Sequence, residues 1–321
     1  MKTKNSILIL TFLIMLICSS ATADNNDSDV FTITPTYTQE ELDSIKTRFI
    51  KEGNSTAYSK YHLFSENRND LFIYAFYMAN MYENKNAQCQ IYEMISEFYN
   101  NVGVEIDATV NSIALSYLRR SYAQEHEFAG SEMSRLLLIG IGIPKDTIAA
   151  KEIIYKRFKK EKADKIWFLK KRDYPQRYEN EKREKEKIRN ERRMRINNQI
   201  AQINSLIDTT IIKSSYTQDE LNLLKDYFIE YGNLYAYTTY IKHCPDKENK
   251  AMYIFFMANT HNSAVAQYQM YCMIRDFYES IGKEMDSTAS AIALSYLRRS
   301  AEQGNGEAEN EICRLREVKV L

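Results

Sequence analysis

Along most of the chain, apolar residues return every three or four positions, the spacing that gives an α-helix one buried stripe. In "NSIALSYLRRS", residues 111–121, Ile113, Leu115, Tyr117 and Leu118 fall largely on one face, with Arg119 and Arg120 at its exposed end. Short breaks at Gly53–Asn54 and Asn100–Gly103 separate such segments. The pattern predicts an all-α protein. With only 9 Gly and 4 Pro in 321 residues, breakers are scarce enough to agree.

The pattern occurs twice. "IALSYLRRS" stands at 113–121 and again at 292–300, and the same shift of 179 positions aligns "YTQEEL" at 37 with "YTQDEL" at 216. It also aligns "FIKEGNSTAY" at 49 with "FIEYGNLYAY" at 228, and "FYNNVGVEIDAT" at 98 with "FYESIGKEMDST" at 277. The register holds without a gap over about a hundred residues. Two copies of one unit, 37–136 and 216–315, each of about six helices, are therefore expected. Short helices joined by brief turns predict stacked helical hairpins, the construction of an α-solenoid.

Specific residues suit this construction. Gly103, Gly142 and Gly282 permit turn conformations that a side chain opposes. Asp107, Asp146 and Asp286 stand where a carboxylate can cap the following helix. Ala114 and Ala293 allow close helix approach, and Tyr117 and Tyr296 fill the adjoining groove. The pattern over 103–153 and 292–315 resembles the Sel-like repeat, a tetratricopeptide-like hairpin. That family shows a Tyr-x-x-Gly-x-Gly-Val-x-x-Asp loop, an Ala-x-x-Tyr-x-x-Ala-Ala helix and a Glu-Gln-Gly-Asn exit. "LIGIGIPKD" at 138–146 matches the loop best, and "IALSYLRRSAEQGNGEAENEICRL" at 292–315 the helix and exit. Asn101 and Ser280 depart from the first loop glycine. The resemblance implies an adaptor that binds proteins or peptides.

The start of the chain reads as an address. Lys2 and Lys4, the apolar run Ile7–Ile17 and "ATA" at 21–23 make a secretory signal over 1–23. The run is short for a membrane anchor, and Leu16 and Ile17 are poor neighbours for lipid attachment at Cys18. Export to the periplasm or beyond, in a bacterial cell envelope, is the expectation. A flexible segment 24–36 would follow, then a first solenoid over 37–170, a charged helical linker over 171–212 and a second solenoid over 213–321. Cys89, Cys244, Cys272 and Cys313 remain after cleavage. They read as apolar helix-face residues, with a Cys272–Cys313 bridge as the alternative.

Charge singles out one segment. Residues 151–195 hold 19 Lys+Arg against 9 Asp+Glu, although the whole chain is formally neutral. "YENEKREKEKIRNERRMRINNQIAQINSLI" reads as a long helix ending in an isoleucine seam at Ile196, Ile200, Ile203 and Ile207, suited to docking or a short coiled coil. Its basic face, Arg189, Arg192, Arg193 and Arg195, is a candidate for binding an anionic partner such as membrane headgroups or an acidic protein. Nucleic acid is not expected for an exported chain.

Candidate chemistry is sparse. His62, His126, His243 and His261 have no histidine counterparts in the other copy and no metal-ligand spacing. Glu105 and Asp107 recur as Glu284 and Asp286, which invites general acid–base catalysis, but capping accounts for the aspartates. The tyrosines at 58, 61, 92, 99 and 117 recur at 237, 240, 271, 278 and 296, and core packing is the expectation. No catalytic residue, cofactor or metal is assigned. The leading expectation is an exported non-enzymatic scaffold for a protein or peptide in the cell envelope, with membrane contact through the basic helix as a further option. The alternative is an envelope enzyme or glycan-binding protein acting on cell-wall material.

Overall fold

Fifteen helices make up the described residues of the computed structural model, which are 37–65, 70–208, 213–244 and 249–317. Residues 1–23, Cys18 and the segment 24–36 lie outside them. In the first copy the helices are α1 (Gln39–Glu52), α2 (Ser55–Phe64), α3 (Leu71–Met81), α4 (Lys85–Asn101), α5 (Ala108–Ala123) and α6 (Glu127–Ile139). Next come α7 (Thr147–Arg157), the long α8 (Lys160–Asn198) and the short α9 (Ile200–Leu206). The second copy follows as α10 (Gln218–Tyr231), α11 (Leu234–His243), α12 (Lys250–Asn259), α13 (Ala264–Ser280), α14 (Ser287–Glu302) and α15 (Gly306–Glu317). A shift of 179 carries each of the first six onto its twin, to within a residue at the ends.

Local chemistry explains why the boundaries coincide. Thr38 and Glu41 close a capping box at the start of α1, and Thr217 and Glu220 close its twin at α10. Gly53 and Gly232 end those helices at φ +65° and +66°, the left-handed conformation that a Cβ opposes. Asn54 and Asn233 then accept from Ala57 N and Ala236 N to start the next helix. Asp107 Oδ1 accepts from Thr109 and Val110, Asp286 Oδ1 from Thr288 and Ala289, and Asp146 Oδ1 from Ile148 and Ala149.

The core sits where the copies meet. Every residue from Leu71 to Asn80 of α3 is buried, as is Ala251 to Asn259 of α12, because both helices are apolar all round. α3 packs against α12, α13 and α14 of the other copy. The contacts are reciprocal. Phe98 meets Tyr253 and Phe256 at 5.3 and 5.8 Å between ring centroids, and its twin Phe277 meets Tyr74 and Tyr77, the twins of those residues, at 5.5 Å each. Tyr99–Phe256 at 5.5 Å likewise answers Tyr278–Tyr77 at 5.3 Å. Such exchange is the signature of a two-fold relation, here between two halves of one chain. The segments read as 37–170, 171–212 and 213–321 pack within one compact unit, Thr38–Leu321.

The middle of the chain differs from its sequence reading in two respects. α8 begins at Lys160, where Ala163 is buried near its start, and continues through Pro175, so it starts well before the Pro-free stretch. At the other end the backbone turns at Gln199, with φ −125° and ψ 21°. The isoleucine seam is therefore broken. Ile196 and Ile203 are buried while Ile200 is 44% exposed, so no continuous coiled-coil stripe forms.

Candidate interaction surface

Each copy contains a buried polar junction made by the same residues. Asn80 Nδ2 donates to Tyr117 Oη at 3.0 Å, and Asn259 Nδ2 donates to Tyr296 Oη at 2.9 Å. Arg120 donates to Asn80 Oδ1 at 2.9 Å and to the Ala79 carbonyl at 2.8 Å; Arg299 repeats both bonds at 3.3 and 3.1 Å. Arg120 is thus committed to the copy interior rather than lying at an exposed helix end, whereas Arg119 is exposed. Ala114 and Ala293 are buried at 1% and 0% exposure, and the helices they lie on pack closely against their neighbours.

A second junction ties the penultimate hairpin to the last helix. Tyr92 Oη donates to Glu132 at 2.6 Å, and Tyr271 Oη donates to Glu311 at 2.6 Å. Arg135 and Arg314 each grip the same carboxylate through two bonds. The hydrogen bond from Arg314 holds the Glu311 carboxyl down at about 2. Burial would raise Glu132, but its bonds from Arg135 keep it below the usual carboxylate range. Beside it, burial and the charges of Glu132 and Glu97 push Glu93 up to about 7.

The basic helix is turned inward at its far end. Arg189 and Arg193 bind Glu230 of α10 at 3.2 and 2.5 Å, Arg192 binds it at 3.3 Å, and Arg195 binds Asp226 at 2.9 Å. The Arg192 side chain is only 2% exposed and also donates to the Val102 carbonyl. Burial lowers its affinity for the proton, and Glu230 opposes that effect. Glu230 in turn is buried, which would raise it, yet the bond from Arg193 and the charge of Arg189 hold it low. Arg192 is accordingly an internal strut and not a surface for an anionic partner. Arg189, Arg193 and Arg195 remain about half exposed. Glu230 and Asp226 had no signal in the sequence, since their twins are Lys51 and Thr47.

α8 lies along the first copy in a definable seat. Lys170 Nζ donates to Ser131 Oγ at 2.7 Å, Glu181 pairs with Arg135 at 3.6 Å, and Lys185 pairs with Glu105 at 3.8 Å. Gly103 is buried beneath it, where an added Cβ would stand 2.8 Å from both Ile188 Cγ2 and the Lys185 carbonyl. Gly142, at φ +66°, accepts from Asn111 at 3.2 Å and shapes the turn into α7.

The acid pairs of the turns act as structure. Glu105 and Glu284 are exposed. Asp286 Oδ2 accepts from Tyr278 Oη at 2.8 Å, while Asp107 Oδ2 is buried without a hydrogen-bond partner, because Tyr99 turns to Thr260 instead. His126 caps α6, and His261 bonds the Ile229 carbonyl; burial lowers both. The repeated tyrosines at 58, 61, 92, 99 and 117, and their twins, are all buried. Cys272 and Cys313 are unbridged thiols, half-buried and exposed respectively. Among the described residues no group of three or more His, Cys, Asp or Glu side chains is placed to hold a metal ion, and no helix is long and apolar enough to cross a membrane.

Neither a family model nor a curated protein matches the sequence. Among solved structures the chain is similar to the crystal structure of a Sel1 repeat protein from Oxalobacter formigenes. The match is 16% identical, covers 86% of this chain and 89% of that one, and has a TM-score of 0.26.

Proposed function

We propose that this chain is an exported, non-enzymatic scaffold that binds a protein or peptide of the cell envelope along its helical-hairpin faces. The observation that carries the reading is the seat of α8. A face built from α4, α6 and their turns already holds a charged helix by a glycine turn, two ion pairs and a lysine–serine bond, and α10 adds the ion pairs of Glu230 and Asp226. Preformed helix faces suit recognition because little ordering is needed at the moment of binding. The reading of residues 1–23 as a secretory signal supports export.

The test is site-specific photo-crosslinking in cells, with the probe placed in turn at Asn310, Arg119 and Arg298. A defined envelope protein crosslinked from one position and not the others supports the proposal. Uniform labelling from every position counts against it. So does turnover of peptidoglycan, peptide or β-lactam substrates by the purified chain that is lost on changing a single acid or histidine. Amino-terminal sequencing of the cellular protein, expected to begin at Asp24, tests export.

A further inference from the structure

The duplication has a consequence for the second copy. α8 covers one face of the first copy, and the same face of the second copy is left open among the described residues. We propose that this open face is a docking seat for an acidic α-helix of another protein; the inference rests on the helix-binding reading above.

The contacts α8 makes can be carried across by the shift of 179. Arg135, which meets Glu181, becomes Arg314; Glu105, which meets Lys185, becomes Glu284; Gly103, beneath Ile188, becomes Gly282. The chemistry is retained at all three. Arg314 is already oriented by Glu311, at 2.7 and 2.8 Å, as Arg135 is by Glu132. What differs is cover. The Arg314 side chain is 56% exposed against 16% for Arg135. A Cβ on Gly282 would meet no described atom within 4 Å, whereas one on Gly103 would collide with α8. The turn conformation is the same, with φ of +60° at Gly103 and +64° at Gly282.

The far end of the seat determines the charge of its occupant. On the filled side the arginines of α8 meet Glu230. The twin of Glu230 is Lys51, and the twin of Val104 is Lys283. Lys283 Nζ donates to the Lys51 carbonyl at 3.3 Å and to Tyr82 Oη at 2.9 Å, which places the Lys283 ammonium beside the backbone of the exposed Lys51 at the open seat's end. Leu223 and Asp226, buried on the filled side, are replaced by the exposed Ser44 and Thr47. A copy of α8 itself would bring arginines against these lysines and be repelled. The fitting helix carries a carboxylate for Arg314, a lysine one turn later for Glu284, a branched apolar residue over Gly282, and carboxylates where α8 has Arg189, Arg192 and Arg193.

The probe is a pair of fluorescent peptides spanning residues 170–198. One has the native sequence and the other carries Arg189→Glu, Arg192→Glu and Arg193→Glu. Each is titrated against the full mature chain by anisotropy at low salt. The reversed peptide is expected to bind one to one and about ten-fold or more tighter than the native peptide, with the difference shrinking as salt is added. Arg314 faces Glu181, which both peptides carry, so Arg314→Glu in the chain is expected to weaken both about equally and Glu181→Arg in the peptide to restore binding. Lys51→Glu in the chain is expected to abolish the preference; Arg119→Glu is expected to change nothing. Arg119 and Lys51 are exposed, so their variants are expected to melt as the parent does; Arg314→Glu also removes a partner of the buried Glu311 and is expected to lower the melt, so its binding is read well below that transition. Equal affinity of the two peptides, no binding of the reversed peptide, or failure of the charge-swap rescue overturns the seat. The scaffold reading survives that result if a partner still crosslinks elsewhere, and falls separately if the peptide binds but no envelope protein is crosslinked in cells.

Discussion

Gly103 and Gly282 form a matched pair that isolates the packing of α8. Both lie in the left-handed region, at φ +60° and +64°, so alanine at either pays the same backbone penalty of about 1–2 kcal/mol. At Gly282 no described atom lies within 4 Å of the new Cβ, and that penalty is the whole expected loss. At Gly103 the Cβ would stand 2.8 Å from a backbone oxygen, Lys185 O, as well as from Ile188 Cγ2. A backbone atom cannot rotate away, so α8 must shift, which adds about 1–3 kcal/mol of overpacking. Urea denaturation of Gly103→Ala and Gly282→Ala, compared through midpoints at constant slope, reads the difference. Adding Ile188→Ala should recover part of the loss at Gly103 and none at Gly282. Equal losses for the two alanines would refute the seat of α8 on the first copy, and with it the argument for an open twin.

The other predictions concern buried groups. Glu93 titrates near 7 when folded against 4.5 unfolded, so the native state holds a proton that the unfolded chain releases between those values. Stability therefore falls as pH rises from about 4.5 to 7 and the penalty is complete above that. Glu93→Gln is expected to raise the denaturation midpoint at pH 8, by at most about 3 kcal/mol, and to leave it nearly unchanged at pH 4.5; a gain at the lower pH instead would contradict the assignment. Glu230→Gln leaves Arg192 buried beside an uncharged partner and is expected to cost about 3–5 kcal/mol in a thermal melt, whereas the cost at an exposed site such as Glu302→Gln should be negligible. Ala293→Leu overfills a position with 0% exposure and should cost about 1–3 kcal/mol, while Arg298→Ala, on an exposed position of the same helix, should cost far less. The reverse order would mean that the helix faces are assigned the wrong way round.

How far the chain was legible can be judged from particular residues. The capping box at Thr38 and Glu41, the Gly53 stop, the Asp107 cap and their twins are signals contained within four residues, so helix boundaries could be read locally. The 179-residue register and the all-helical class are likewise properties of linear pattern. The Glu132–Arg135 pair is visible in that register too, since it recurs at Glu311 and Arg314. The direction of the basic face was not legible. Helical spacing groups Arg189, Arg192 and Arg193, but only the approach of α10 buries Arg192 and ties all three to Glu230. Ile200 shows the same limit, because a seam drawn by spacing assumes an unbroken helix and the turn at Gln199 removes it.

Sequence by itself therefore determined the local character of the two copies: which residues cap and fill their helices, and that the unit is made twice. Tertiary structure decided what each segment meets. α3 and α12 are apolar on all sides, which demands burial but names no partner; the reciprocal fit of Phe98, Tyr99, Phe277 and Tyr278 across the copies supplies one. Equally, two related faces came to differ because, among the described residues, α8 is laid on the first copy and not on the second. Periodicity and capping act over a few residues and are written in their order, whereas pairing between distant faces depends on shape and charge complementarity that exists only once the helices are side by side.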